Sequence, residues 1–191
     1  MFQGDHVNTP IASILDDEYN SVTIINGRNV TSGMTTGENF SQYQDEILYW
    51  EILCDTIFSV SDYNKISPKY FVDFGKYSIP QSERINKDVY DLIEYTNKEE
   101  NIKKTASFIW YVNEDDKYLR FMFVFNRQIY YVFYNKANKT AQTYCFENSS
   151  KFKASPFVYY NNGRVYLSVS SEDEIENNPY IVVFEETLFT K

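Results

Sequence analysis

Two apolar runs joined by a very short link limit what this chain can fold into more than any other feature. Phe121-Met122-Phe123-Val124-Phe125 and Ile129-Tyr130-Tyr131-Val132-Phe133-Tyr134 flank Asn126-Arg127-Gln128. Aromatic and β-branched residues suit a pleated strand, and so short a link permits only an antiparallel hairpin. Antiparallel sheets ordinarily keep one face in water and alternate polar with apolar residues. Neither run alternates. The hairpin must therefore be covered on both faces.

Strand signals of the same kind extend along the chain, over 11–15, 22–26, 46–53, 56–61, 69–74, 108–112, 118–125, 128–134, 140–146, 157–160, 164–170 and 180–185. Turn residues separate them, among them Asn26-Gly27, Asn113-Glu114-Asp115-Asp116 and Asn161-Asn162-Gly163. The aromatic content points the same way, with 18 Tyr, 15 Phe and 2 Trp. One segment differs: at about 80–102, Ile85, Val89, Leu92 and Ile93 fall on one helical face of a charged stretch. It reads as a short amphipathic helix inserted between sheets.

An internal repeat accompanies the strands. Asp55-Thr56-Ile57-Phe58-Ser59-Val60 recurs as Arg127-Gln128-Ile129-Tyr130-Tyr131-Val132, and Phe74 matches Phe146 at the same offset. Looser copies are Tyr180-Ile181-Val182-Val183-Phe184 and Ser21-Val22-Thr23-Ile24-Ile25. With the insertion subtracted, the spacing nears the ~40–50 residues of a propeller blade. A sandwich would expose the outer face of each sheet, and a membrane barrel would alternate around a polar interior. Sheets stacked in series meet the requirement. The fold expected is all-β, with about three to four antiparallel propeller-type blades and one short helical insertion. The domain is expected over 11–191, behind a leader or tag remnant at 1–10.

Composition removes several classes of function. The formal net charge is −9, with 18 Lys and Arg scattered among 27 Asp and Glu. Phosphate binding calls for a basic face, so no nucleic-acid partner is expected. No run approaches the about 18 apolar residues of a membrane-spanning helix, so no transmembrane segment is expected. The opening Met1-Phe2-Gln3-Gly4-Asp5-His6 has neither the basic nor the apolar region of a signal peptide. Cys54 and Cys145 are the two cysteines, in apolar strand-like runs, where they read as small hydrophobes or as one disulfide.

The run Asn39-Phe40-Ser41, Asp55-Thr56-Ile57-Phe58, Ser67-Pro68-Lys69-Tyr70, Asp73-Phe74-Gly75-Lys76 and Ile79-Pro80 resembles a bacterial six-bladed β-propeller family. Asn177-Asn178-Pro179-Tyr180-Ile181-Val182-Val183 resembles that family's closing strand, so the chain is similar to its C-terminal half. The resemblance implies an NHL-like fold in proteins usually exported, often as lipoproteins, with no catalytic residues to carry over. It implies a periplasmic or cell-surface location. A six-bladed ring needs roughly 250–350 residues at ~40–50 per blade, more than the 191 present. Length and apolar strands thus point to a homodimer in which two halves close one ring, with an open fragment as the alternative.

Chemistry has little to draw on. His6 is the one histidine, so a Ser/His/Asp or Cys/His arrangement has no base within the domain. No catalytic residue, metal ligand set or cofactor is expected. Asp16-Asp17-Glu18, Glu114-Asp115-Asp116 and Glu172-Asp173-Glu174 read as solvated turns rather than glycosidase pairs. Trp50 and Trp110 are candidates for stacking on a carbohydrate or peptide ligand, against blade packing as the plainer reading. Arg120, set between Leu119 and Phe121, must pair or face a channel. The function expected is a non-enzymatic binding or scaffold module. The alternative is an NHL-like hydrolase or lyase working with carboxylates and a bound cation.

Overall fold

Among the described residues, every sheet is built by antiparallel pairing. A computed structural model describes residues 10–15, 18, 21–26, 39–51, 53–61, 65–85, 87–145, 152–171 and 180–188. β1 (Pro10–Leu15) and β2 (Ser21–Asn26) form a hairpin. β3 (Phe40–Tyr43), β4 (Glu46–Trp50), β5 (Thr56–Ser61) and β6 (Lys65–Phe71) form a four-stranded meander, blade I. β7 (Ser107–Glu114), β8 (Tyr118–Phe125), β9 (Gln128–Asn135) and β10 (Thr140–Cys145) repeat it as blade II. β11 (Phe152–Asn161), β12 (Arg164–Ser171) and β13 (Tyr180–Glu185) make blade III, with three strands among the described residues.

The first strands of successive blades touch, β3 against β7 and β7 against β11. They line the inner side of the stack, and each meander runs outward from there. β5, β9 and β13 are each the third strand of their blade. These are the strands that carry the internal repeat. Their starts lie 72 residues apart from Thr56 to Gln128, but 52 apart from Gln128 to Tyr180. The difference is the helical insertion between β6 and β7. Of the repeat's last matched pair, Phe74 follows β6 and Phe146 lies outside the described residues.

Blade II is covered on both faces, as its apolar runs require. Toward blade I, Leu119, Phe121, Val132, Ile109 and Val112 meet Leu48, Trp50 and Ile57. The Phe74 ring packs at a tilt against Phe123, with ring centres 5.0 Å apart. Toward blade III, Met122, Tyr131 and Phe133 meet Val165, Leu167 and Val169. Odd residues of β8 face one seam and even residues the other. Each large apolar side chain so buried contributes about 1.5–3 kcal/mol.

The structure departs from the sequence expectations in several elements. β3 adds a strand that the sequence pattern missed: Phe40-Ser41-Gln42-Tyr43 is four residues long and half polar, too little signal to read. The insertion is three helices rather than one: α1 (Gln81–Arg84), α2 (Val89–Asn97) and α3 (Glu99–Ile102). Asp88 starts α2 afresh through a reciprocal capping box with Asp91, and Lys98, in extended conformation, separates α2 from α3. Only α2 is long enough to bury a face, and it does so with Val89 and Leu92 against Leu53 and Ile79. The expected strand over 69–74 is instead Lys65–Phe71, an outermost strand that tolerates Pro68 because that edge needs no N–H donor.

Beyond β6 the chain makes the turn that the Asp73-Phe74-Gly75-Lys76 block encodes. The Asp73 carboxylate accepts the Gly75 N–H at 2.7 Å, and Gly75 takes φ +56°, a conformation glycine adopts without strain. Asp55, at the head of the repeat, pairs bidentately with Arg84 of α1 at 2.8 and 2.9 Å. Arg84 also donates to the Leu53 and Ile79 carbonyls. This guanidinium ties the insertion to blade I. The resembling motifs are thus structural at these positions.

Removing a seam side chain should cost far more than removing an exposed one. Met122→Ala, at a residue with no exposure, is expected to lower unfolding free energy by about 2–5 kcal/mol. Phe71→Ala, at 71% exposure, is expected to change it by no more than about 0.5 kcal/mol. Urea unfolding followed by tryptophan fluorescence measures both.

Candidate functional site

β7 ends in two residues that point to opposite seams. Asn113 lies opposite Arg120 in the β7–β8 register, and Glu114 lies opposite Leu119. Asn113 therefore faces blade III and Glu114 faces blade I. Each seam carries a polar cluster at this end of the blades, where the β3–β4, β7–β8, β9–β10 and β11–β12 turns gather. The helices sit at the other end, on the β6–β7 crossover.

The cluster at the first seam is centred on Glu114, whose side chain is 1% exposed. Lys69 approaches one carboxylate oxygen at 3.0 Å and Lys136 the other at 2.7 Å. Tyr70 donates to it at 2.7 Å. Lys69 also pairs with Glu46 at 2.6 Å, and Lys136 donates to the Asp115 carbonyl at 2.8 Å. The Tyr43 ring lies beneath both ammonium groups, 4.3 Å from Lys136 and 4.9 Å from Lys69. The hydrogen bond from Lys69 holds the Glu46 carboxyl below its usual range. Burial works against both lysine charges, but their carboxylate partners outweigh it and hold both above their usual value. This corrects the expectation of a solvated turn: Glu114 is a buried strand residue. Asp116, by contrast, is exposed. Glu18 is exposed too, and the other members of the remaining two acidic runs lie outside the described residues.

The cluster at the second seam is centred on Arg120, whose side chain is 4% exposed. Asp115 pairs with it at 2.6 Å, Glu186 pairs with its Nε, and Asn113 accepts weakly at 3.4 Å. The rings of Tyr118 and Tyr160 lie 5.2 and 5.5 Å from the guanidinium carbon. Burial opposes the Asp115 charge, yet the Tyr118 N–H and Arg120 outweigh it and hold this carboxyl below its usual range. Asp115 serves both clusters, by its side chain at one seam and its carbonyl at the other. A cavity of about 210 Å³ opens here. Its wall is completed by the β11–β12 turn, where Asn162 and Gly163 have φ +48° and +74°, as a tight hairpin turn requires.

The structure places the three candidate residues as follows. Arg120 lines this cavity. Trp110 faces the same seam and packs against its apolar core. Trp50 lies in the other seam at 1% exposure, surrounded by Leu48 and Ile57. Lys136, Tyr160 and Glu186 were not singled out from sequence, whereas Glu114 stood out only in an acidic run read as a turn and Lys69 only in the family motif. The two cysteines are not joined in a disulfide, and burial pushes the Cys54 thiol up, away from nucleophilic use. Among the described residues no group of three or more His, Cys, Asp or Glu could hold a metal ion.

Removing the Glu114 charge strands two lysines in a closed seam. Glu114→Gln is expected to destabilise the fold by about 3–5 kcal/mol, measured by urea unfolding at neutral pH. The Asp115 pKa is lowered by folding, so its contribution is present above the unfolded carboxylate value of about 3.9 and is lost as the pH falls below it. The urea midpoint should therefore drop on acidification, and more steeply in the wild type than in Asp115→Asn.

Among curated proteins, none matches the chain. A crystal structure of a candidate exported protein from Bacteroides fragilis superimposes with a TM-score of 0.60 at 16% identity, covering 82% of this chain and 46% of that protein. The likeness concerns the fold, and the chain spans about half the length of that neighbour. Residues 9–165 match the family DUF5128, described as a 6-bladed beta-propeller. With its repeated meanders stacked face to face and most of its length matched, the chain belongs to this six-bladed β-propeller family.

Proposed function

We propose that the protein is a non-enzymatic binding module of an exported propeller, presenting its ligand site at the turn end of the blades. The observation that supports this most is the state of Asp115. Two carboxylates, Asp115 and Glu186, meet at Arg120, which is the arrangement an NHL-like hydrolase or lyase would need. Acid–base work on a glycosidic bond, however, requires one carboxyl kept protonated. Asp115 is held ionised instead, by a guanidinium and by backbone N–H groups. An Asp115 so held orients and recognises; it has no proton to give. Export rests on the family resemblance and on the candidate exported protein that shares the fold. Among the described residues no helix is long and apolar enough to cross a membrane.

Chromogenic glycosides and esters, with and without calcium, test the catalytic alternative. The expected rate equals that of buffer and is the same for Asp115→Asn and Glu186→Gln. Turnover that disappears in either variant would overturn the binding reading.

A ring closed by a second copy is the partner proposal. The outer face of blade III carries Tyr159, Ile181 and Val183, at 63%, 70% and 48% exposure. Tyr159, Tyr166 and Val183 lie side by side across its three strands. This is the kind of surface that blade II buries at both of its seams. Light scattering coupled to gel filtration should return twice the chain's 22.6 kDa. A monomer that persists at high concentration would refute closure by a second copy.

A further inference from the structure

The first seam stays open along its outer flank. β6 ends at Phe71, and the chain then turns inward, where the Val72 N–H bonds the Asp55 carbonyl at 2.7 Å. Opposite, β10 is the outermost strand of blade II, and on this side it presents Ala141 and Thr143, beside Tyr134 and Val132 in the register. Both are short and exposed, and they leave the seam unfilled. A cavity of about 430 Å³ lies between the two edges. Phe121, Phe123 and Val132 line its floor, and Tyr70, Phe71 and Phe74 its blade I side. That volume falls within the about 300–1,000 Å³ of small-molecule sites.

Asp73 is the one charged residue among those that line this cavity. It is exposed, so its carboxylate is open to whatever enters. One of its oxygens holds the Gly75 N–H, and among the described residues no cation pairs with it. The cations near it in the chain or in space are placed elsewhere. Lys69 lies with Glu46 and Glu114, and Lys76 over the Tyr77 ring at 5.0 Å. Asp55, close enough to Asp73 to feel its charge, keeps Arg84. The lining therefore offers aromatic and aliphatic surface, one negative charge at an exposed rim, and no positive charge to receive an anion. An apolar body gains by covering the rings; an ammonium gains at Asp73, where a carboxylate would be repelled. We propose that this cavity, at the outer flank of the first seam, binds a small organic amine with an apolar, ring-bearing body, its ammonium paired with Asp73. The site is separate from the Arg120 cavity and goes beyond the reading given for the turn end.

Phenethylamine, phenethyl alcohol and hydrocinnamate share one ring and differ in the charge of the tail. Ligand-observed NMR titrations at neutral pH and low salt give their dissociation constants. The amine should bind most tightly and the carboxylate most weakly. Asp73→Asn removes the charge but keeps an oxygen for the Gly75 N–H, so its thermal midpoint should stay near that of the wild type. It should weaken the amine about two- to fivefold, the worth of an exposed ion pair, and leave the alcohol unchanged. Ala141→Phe, on the exposed edge strand, places a ring where the ligand's ring would lie. It should weaken the amine and the alcohol alike, by roughly tenfold or more. A short peptide amide beginning with phenylalanine carries the same ammonium and ring; tighter binding than phenethylamine would identify a peptide N-terminus as the source, and weaker binding a free amine. Alcohol or carboxylate binding as tight as the amine, amine binding unchanged in either variant, or no binding by any probe would overturn the proposal. None of these outcomes bears on the turn-end site, where Asp73 and Ala141 have no part.

Discussion

Blade II has no face of its own to give to water, and the rest of the molecule is arranged around that demand. Leu119 and Phe121 look toward blade I while Met122, one residue on, looks toward blade III. A strand with apolar residues on both sides cannot rest until two further sheets are laid against it. Blades I and III supply them, and their inner strands draw together along β3, β7 and β11. The stack therefore propagates: each covering sheet presents an outer face that asks for the next.

The turn end of this stack is where polar groups enter the seams. Buried ion pairs seldom add net stability over well-packed apolar residues, because desolvation offsets attraction. Their use here is better understood as alignment. Glu114 fits one height of Lys69 on β6 and of Lys136 beyond β9. Arg120 fits one height of Glu186 beyond β13. Sliding either neighbouring blade along the seam would strand charges, whereas apolar faces alone would tolerate the slip. Asp115 belongs to both arrangements, so the two seams share a reference point.

Much of this was legible in the residues. The unalternating runs of β8 and β9 announced two-sided burial, and the repeat marked the third strand of each blade. Arg120 was conspicuous as a charge within an apolar strand. Other features left no local trace. β3 is too short and polar to stand out, and it forms because β4 offers an edge. Glu114 looked like part of an acidic turn, since the lysines that bury it lie 45 and 22 residues away in sequence. Tyr160 is one of many tyrosines, and only the fold shows that its hydroxyl lacks a hydrogen-bond partner among the described residues. The NHL-like, exported and ligand-binding parts of the reading rest on resemblance and chemistry rather than on the fold.

The inner strand β7 holds a different kind of information. Its pairing with β8 slips by one residue between Ser107 and Trp110 and again between Trp110 and Asn113, with Phe108 and Tyr111 at φ +57° and +49°. Ser107, Trp110 and Asn113 consequently share one side and Ile109 and Val112 the other, a spacing of three where an ordinary strand has two. One bulge reverses which side every later residue takes; a second restores it. The two extra residues thus behave as a parity pair. A deletion that removed one would send Glu114 to the seam of Arg120, whereas loss of both would return each to its place. Evolution can shorten this strand by two residues more readily than by one.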